Sequence, residues 1–188
     1  MILAIACDDS DNEPQFFYYV DGQKYVLHED RHYIQLKLRE YVRDSIASQL
    51  RNIPGAMLES ADGKYATMQV LSASDPVSAY STISIIRNLP GVVCANFKLW
   101  YLEPGTLMGY TDELIVRFTD QASDKEIEDF MNANKVTFAD DQRSPDRTHL
   151  LEISSDSEYS LFQVVERFRV SGLVVWSEPN LIGGVSVN

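Results

Sequence analysis

An α+β fold built from two tandem copies of one β-α-β-β-α-β pattern is what this sequence predicts, and three observations predict it. Runs that alternate apolar and polar residues are interleaved with segments whose apolar residues fall three and four apart, so strand and helix periods take turns along the chain. Two glycines, Gly91 and Gly172, each close a helical pattern and each precede a hydrophobic strand, "VVCANF" and "LVVWS". They lie 172 minus 91, or 81, positions apart, a domain's length and well beyond the period of about 20 to 50 residues of solenoid repeats.

The elements follow in chain order. Residues 1–13, within "MILAIACDDSDNEPQ", read as a leader and tether: an apolar stub reaches Cys7 and turns at once into Asp8, Asp9, Asp11 and Glu13. Residues 14–31 hold "QFFYYVDGQKYVL", where Asp21-Gly22 between two aromatic, β-branched runs predicts a hairpin. The first unit spans 32–105. "YIQLKL" alternates Ile34, Leu36 and Leu38; Val42, Ile46 and Leu50 make a helical stripe; "SADGK" is a turn and "YATMQVL" the central strand. Asp75 and Pro76 then start a helix as N-cap and first-turn proline, with Ile85, Ile86 and Leu89 on its inner face, and Pro90-Gly91 stop it.

The second unit spans 106–188, entered through "LEPGTLMGYTD", which reads as a linker. "DELIVRF" turns Leu114, Val116 and Phe118 inward. Ser123 and Glu126 have capping-box spacing ahead of Ile127, Phe130 and Met131. "KVTFA" is a short strand, "RSPDR" a loop and "THLLEIS" a third strand. Ser155 and Glu158 repeat the capping spacing before Leu161, Val164, Val165 and Phe168, and "LVVWS" closes the unit. Each copy is thereby expected to be a ferredoxin-like unit, an antiparallel sheet of four strands with two helices on one face.

With 45% hydrophobic and 23% charged residues over 188 positions, the chain can bury a core. Its net charge of −12 repels a phosphate backbone, which excludes nucleic acid as a partner. No apolar run reaches the length of a membrane-spanning helix. Cys7 and Cys94 form neither a disulfide framework nor a zinc site, and Cys94 reads as a buried thiol. The small residues ahead of Cys7 resemble the end of a bacterial lipoprotein signal. That resemblance implies an exported protein, periplasmic or on the cell surface, lipid-anchored through Cys7.

The chemistry-bearing residues are sparse. His28, His32 and His149 are too scattered for a metal cluster. Asp140, Asp141 and Asp146 lack the alternating ligands and central glycine of a calcium loop. No nucleophile motif is present. The expectation is a protein without catalytic residues, metal or cofactor.

"DELIVRFTDQASDKEIEDFM", "THLLEIS" and "LVVWSEPNLI", in that order, resemble the propeptide domains of subtilisin-like serine proteases, the inhibitor modules that precede the catalytic domain. "WSEPN" is similar to the closing phrase of those propeptides, and the likeness covers about Thr111 to Asn188. The first unit shares only the pattern of elements. The resemblance implies an inhibitor and folding assistant of a subtilisin-like serine protease, in cis or in trans, that docks its sheet and lays its C-terminal tail in the substrate cleft like a product. It assigns Glu178 as a cap on the partner's helix N-termini, with Asn180 where a second acid often stands. Leu181, Ile182, Val185 and Asn188 would be the tail in the cleft. Lys98 stands where the first copy would need the capping acid. The alternative is an exported or surface-anchored protein-binding module with no protease-related role.

Overall fold

The computed structural model describes residues 16–20, 22–39, 43–101, 106–139 and 144–186. The fold is α+β: among the described residues there are four helices and an antiparallel sheet of nine strands, the first of which pairs only with the second. In chain order these are β1 (Phe17–Val20), β2 (Gln23–Leu38), α1 (Arg43–Leu50), β3 (Ala56–Asp62), β4 (Tyr65–Val70), α2 (Pro76–Arg87) and β5 (Val92–Tyr101). Then come β6 (Thr106–Phe118), α3 (Asp124–Ala133), β7 (Val136–Phe138), β8 (Thr148–Ile153), α4 (Leu161–Val170) and β9 (Val174–Ser186).

Strand order is β3-β4-β2-β5 in the first half and β7-β8-β6-β9 in the second, and β5 joins the halves by pairing Leu99–Tyr101 with Thr106–Met108 of β6. β6 therefore has three strand neighbours: β9 along one edge, and β5 then β8 along the other. Its first residues do not form the expected linker. Thr106–Thr111 are strand, because both edges offer backbone partners that outweigh the turn-forming tendency of "GTLMGYT".

Alternation sorts the residues into two cores. Ile34, Leu36 and Leu38 of β2 meet Ile46 and Leu50 of α1 and Ile83 and Ile86 of α2. Leu114, Val116 and Phe118 of β6 meet Ile127 and Met131 of α3 and Val164, Val165 and Phe168 of α4. Ile85 does not join the first core as its spacing suggested; it is 48% exposed, since α2 buries only one side.

β1 and β2 pair as a hairpin with Val20 opposite Gln23 and Gly22 at φ +78, Asp21 lying outside the described residues, but the hairpin is no separate element. β2 runs on from Gln23 through the presumed boundary at residue 31 to Leu38. Leu27 and Leu99, from the far ends of β2 and β5, lie in the second core, and Phe16 packs edge-on to Phe162 at 5.5 Å. The hairpin is thus a wall of the second half.

Asp75 caps α2, accepting from the amides of Val77 and Ser78, and Ser123 with Glu126 forms a full capping box on α3. On α4 the box is Ser160 with Gln163, five residues beyond the expected Ser155 and Glu158, because the helix begins only at Leu161. Ser160→Ala is expected to lower stability by about 1 kcal/mol, within the 0.5–2 range of such caps, read as a shift in urea midpoint.

The sheet's outer edges resist pairing with other chains. β3 carries a bulge at Leu58/Ser60 beside Glu59, β7 has three residues, and β9 holds Pro179, which brings no N–H.

Candidate functional site

The seam between the halves gathers most of the residues with chemistry. Alternation along β9 puts Ser177 toward α4, where its hydroxyl donates to the carbonyl of Val165 at 2.8 Å, and so turns Glu178 and Asn180 to the opposite face of the sheet. Asn180 Nδ2 donates to Glu113 Oε2 at 3.0 Å. Glu113, fully buried on β6, also accepts from Tyr65 Oη at 2.8 Å and from Lys64 Nζ at 2.7 Å. Both belong to the first half. Lys37 of β2, 5% exposed, completes the set with Nζ at 2.9 Å from Asp112, 3.0 Å from Glu113 and 2.9 Å from Glu152.

This is a network of three carboxylates and two ammoniums, with Lys37 and Glu113 buried at its centre and Asp112, Glu152 and Lys64 partly exposed around them. Burial opposes the ionised form of Glu113, but the bonds from Lys64, Tyr65 and Lys37 outweigh it and hold the carboxyl down at about 2. Asp112 goes the other way: burial raises it, and its one strong cation is shared with two other acids. Burial pulls on Lys37 as well, yet its bonds to Glu152, Asp112 and Glu113 leave it well above the ordinary lysine value. Nearby Cys94 is a free thiol that burial pushes up to about 12, which makes it unreactive.

Backbone approach tightens the same seam. A Cβ built on Gly109 would lie 2.4 Å from Gln35 Oε1, 2.7 Å from its Cγ and 2.8 Å from its Cδ. Gln35 is itself buried and donates to the carbonyls of Leu36 and Ala66. Gly109→Ala should therefore destabilise by about 1–3 kcal/mol, as overpacking does, and a double-mutant cycle with Gln35→Ala should recover most of the loss.

The residues singled out from sequence fall as follows. Glu178 is half-buried opposite Ile115, and burial raises its pKa. Leu181 pairs with Tyr110 and packs on the second core; Ile182 pairs with Gly109 and Val185 with Leu107. The tail expected to hang loose is a strand as far as Ser186, because β6 offers it a free edge along its whole length. Asn188 and Cys7 lie outside the described residues, as do Asp140 and Asp141. Asp146 closes a turn, accepting from Ser144 and Thr148. His28 and His32 are exposed, and His32 bonds to Asp30 at 2.8 Å. Lys98 is buried, and its pKa falls for that reason, partly offset by Glu59.

Sequence reasoning missed Lys37, Lys64, Asp112, Glu113 and Glu152. For Lys37, Glu113 and Glu152 the one signal was charge at outward positions of otherwise apolar strands, "LKL", "DELIVRF" and "THLLEIS", which alternation assigns to solvent; Lys64 was read only as part of a turn, and Asp112 carried no signal.

A groove of about 800 Å³ opens beside this network, between β5 and the start of α4. No known protein family matches the chain, and no curated protein matches it.

Proposed function

We propose that this chain is a non-catalytic protein-binding module of two ferredoxin-like units, with a subtilisin-like serine protease as the partner class its second unit points to. The equal strand order of the two halves supports the tandem architecture. The observation that carries the partner class is that the propeptide-like segments all lie in one folded half: "DELIVRF" on β6, "THLLEIS" on β8 and "LVVWSEPNLI" on β9. The fold by itself names no function, so the weight rests on those residues.

The module binds as a closed body. β9 is already paired, and the sheet face bearing Asn180 is tied to the first half through Glu113. Product-like insertion would require residues 181–186 to leave β6.

The test is slowing of peptide hydrolysis by a bacterial subtilisin, with and without a disulfide between cysteines placed at the paired positions Leu107 and Val185, in a Cys7→Ser, Cys94→Ser background. Equal slowing by locked and unlocked protein is expected. Slowing that disappears with the lock and returns on reduction would restore tail insertion. Unchanged hydrolysis at high micromolar protein would leave a surface-anchored module with no protease-related role. Export belongs to the same proposal: mass spectrometry of the native protein should find lipid on Cys7, and an unmodified Cys7 sinks the anchor. No helix among the described residues is long and apolar enough to cross a membrane.

A further inference from the structure

We propose that the groove between β5 and the N-terminal end of α4 takes an extended, acidic peptide segment of a protein partner, which adds to β5 as a strand. The inference rests on the protein-binding reading above and gives it a surface.

The groove exists because β5 and β6 part company. They pair at Leu99–Tyr101, but along Val92–Phe97 only β2 is hydrogen-bonded to β5, and no strand among the described residues lies on its other edge. Across the opening two side chains of β5 reach β6: Asn96 donates to the Tyr110 carbonyl at 3.5 Å, and the Cys94 thiol donates to Asp112 Oδ1 at 3.8 Å. Six residues of edge, about 20 Å of strand, can receive backbone hydrogen bonds from an extended segment. One carbonyl, that of Ala95, is held by Arg87 Nε at 2.8 Å. The stretch carries no proline, and its one irregularity, at Val93 where it pairs with β2, leaves Cys94–Phe97 in regular register.

Charge selects the occupant. In a chain of net charge −12 the groove's uncommitted charge is positive. Its carboxylates, Asp112 and Glu152, are both bound to Lys37. Arg39 is exposed on its rim with no ion-pair partner among the described residues, and Arg87 is exposed with a guanidinium bonded only to neutral oxygens. α4, ten residues long, opens onto the groove through Leu161 and Phe162, whose first-turn amides carry the positive end of the helix dipole. An independent sign of a missing partner lies in the same lining: Thr111, 2% exposed, has a buried hydroxyl that makes no hydrogen bond. Phe16, Tyr159 and Phe162 give alternate side chains of the segment an apolar wall.

The probes are two blocked, fluorescein-labelled octapeptides, one alternating valine and glutamate, the other valine and lysine, titrated against the full chain by anisotropy. The acidic peptide should bind saturably and about tenfold or more tighter than the basic one. Arg39→Gln with Arg87→Gln should weaken it about tenfold, and Thr111→Val, which keeps the shape and removes only the hydroxyl, by about threefold. Amide shifts should map to Val93–Phe97 and Leu161–Phe162. No saturable binding of the acidic peptide, equal binding of both peptides, or shifts on another surface would overturn the proposal. Slowing of subtilisin that persists without peptide binding would sink this inference alone; peptide binding without slowing would sink only the protease as partner.

Discussion

Replacing Lys37 with methionine is expected to destabilise the protein by about 3–5 kcal/mol at neutral pH, the range seen when one partner of a buried ion pair is removed. The variant keeps most of the side chain's length and its apolar character, so the loss reports chiefly charge. It leaves Asp112, Glu113 and Glu152 facing one another with Lys64 alone. A loss below about 1 kcal/mol in urea unfolding would mean that water replaces the ammonium and that the network does not hold the halves together.

The same network sets the acid limit of stability. Glu113 sits at about 2 in the folded chain, below its unfolded value of about 4.3, so its contribution is complete above that unfolded value and is lost as pH falls toward 2. Asp112 is raised in the folded state, so its protonation on the way down adds a little stability and delays the loss. Lys37 is raised as well; its contribution stands throughout neutral pH and goes only under strongly alkaline conditions. The urea midpoint of the native chain should therefore hold level down to about pH 4 and fall steeply below. In Lys37→Met the deficit should shrink toward pH 4, because protonation relieves the unpaired acids. A deficit independent of pH would assign the loss to packing.

Deleting residues 181–188 has the second large effect. The described part of this segment pairs with Thr106, Leu107, Gly109 and Tyr110, and Leu181 covers the second core. Loss of those ladder bonds and that apolar cover should remove about 2–4 kcal/mol and expose the amides of Thr106–Tyr110 to hydrogen exchange. A dangling tail predicts a change within about 0.5 kcal/mol.

Much of the fold was legible because helix and strand periods differ and caps have local chemistry. Asp75-Pro76, Ser123 with Glu126, and the inward triplets Ile34/Leu36/Leu38 and Leu114/Val116/Phe118 all stand where spacing put them. What misled was long-range. The "TLMGYT" segment sits in a stretch of turn composition and becomes strand because β5 and β9 flank it; "NLIGGVS" has no pattern of its own and is ordered by the edge it meets. Lys37 and Glu113 look like solvent-facing strand charges until the other half of the molecule covers them, and no local window contains that fact.

The strand Thr106–Phe118 gives the chain a single backbone axis, hydrogen-bonded to partners from both sides of any midpoint cut. A molecule organised in this way is not expected to divide cleanly into two autonomous pieces: the first half alone would leave Leu27 and Leu99 without the neighbours that shelter them, and the second half alone would lose their cover and the β5 ladder. Loosening of one half is then expected to loosen the other, with one melting transition for both. Whatever selection acts on the contact surface of one half acts through the sequence of both.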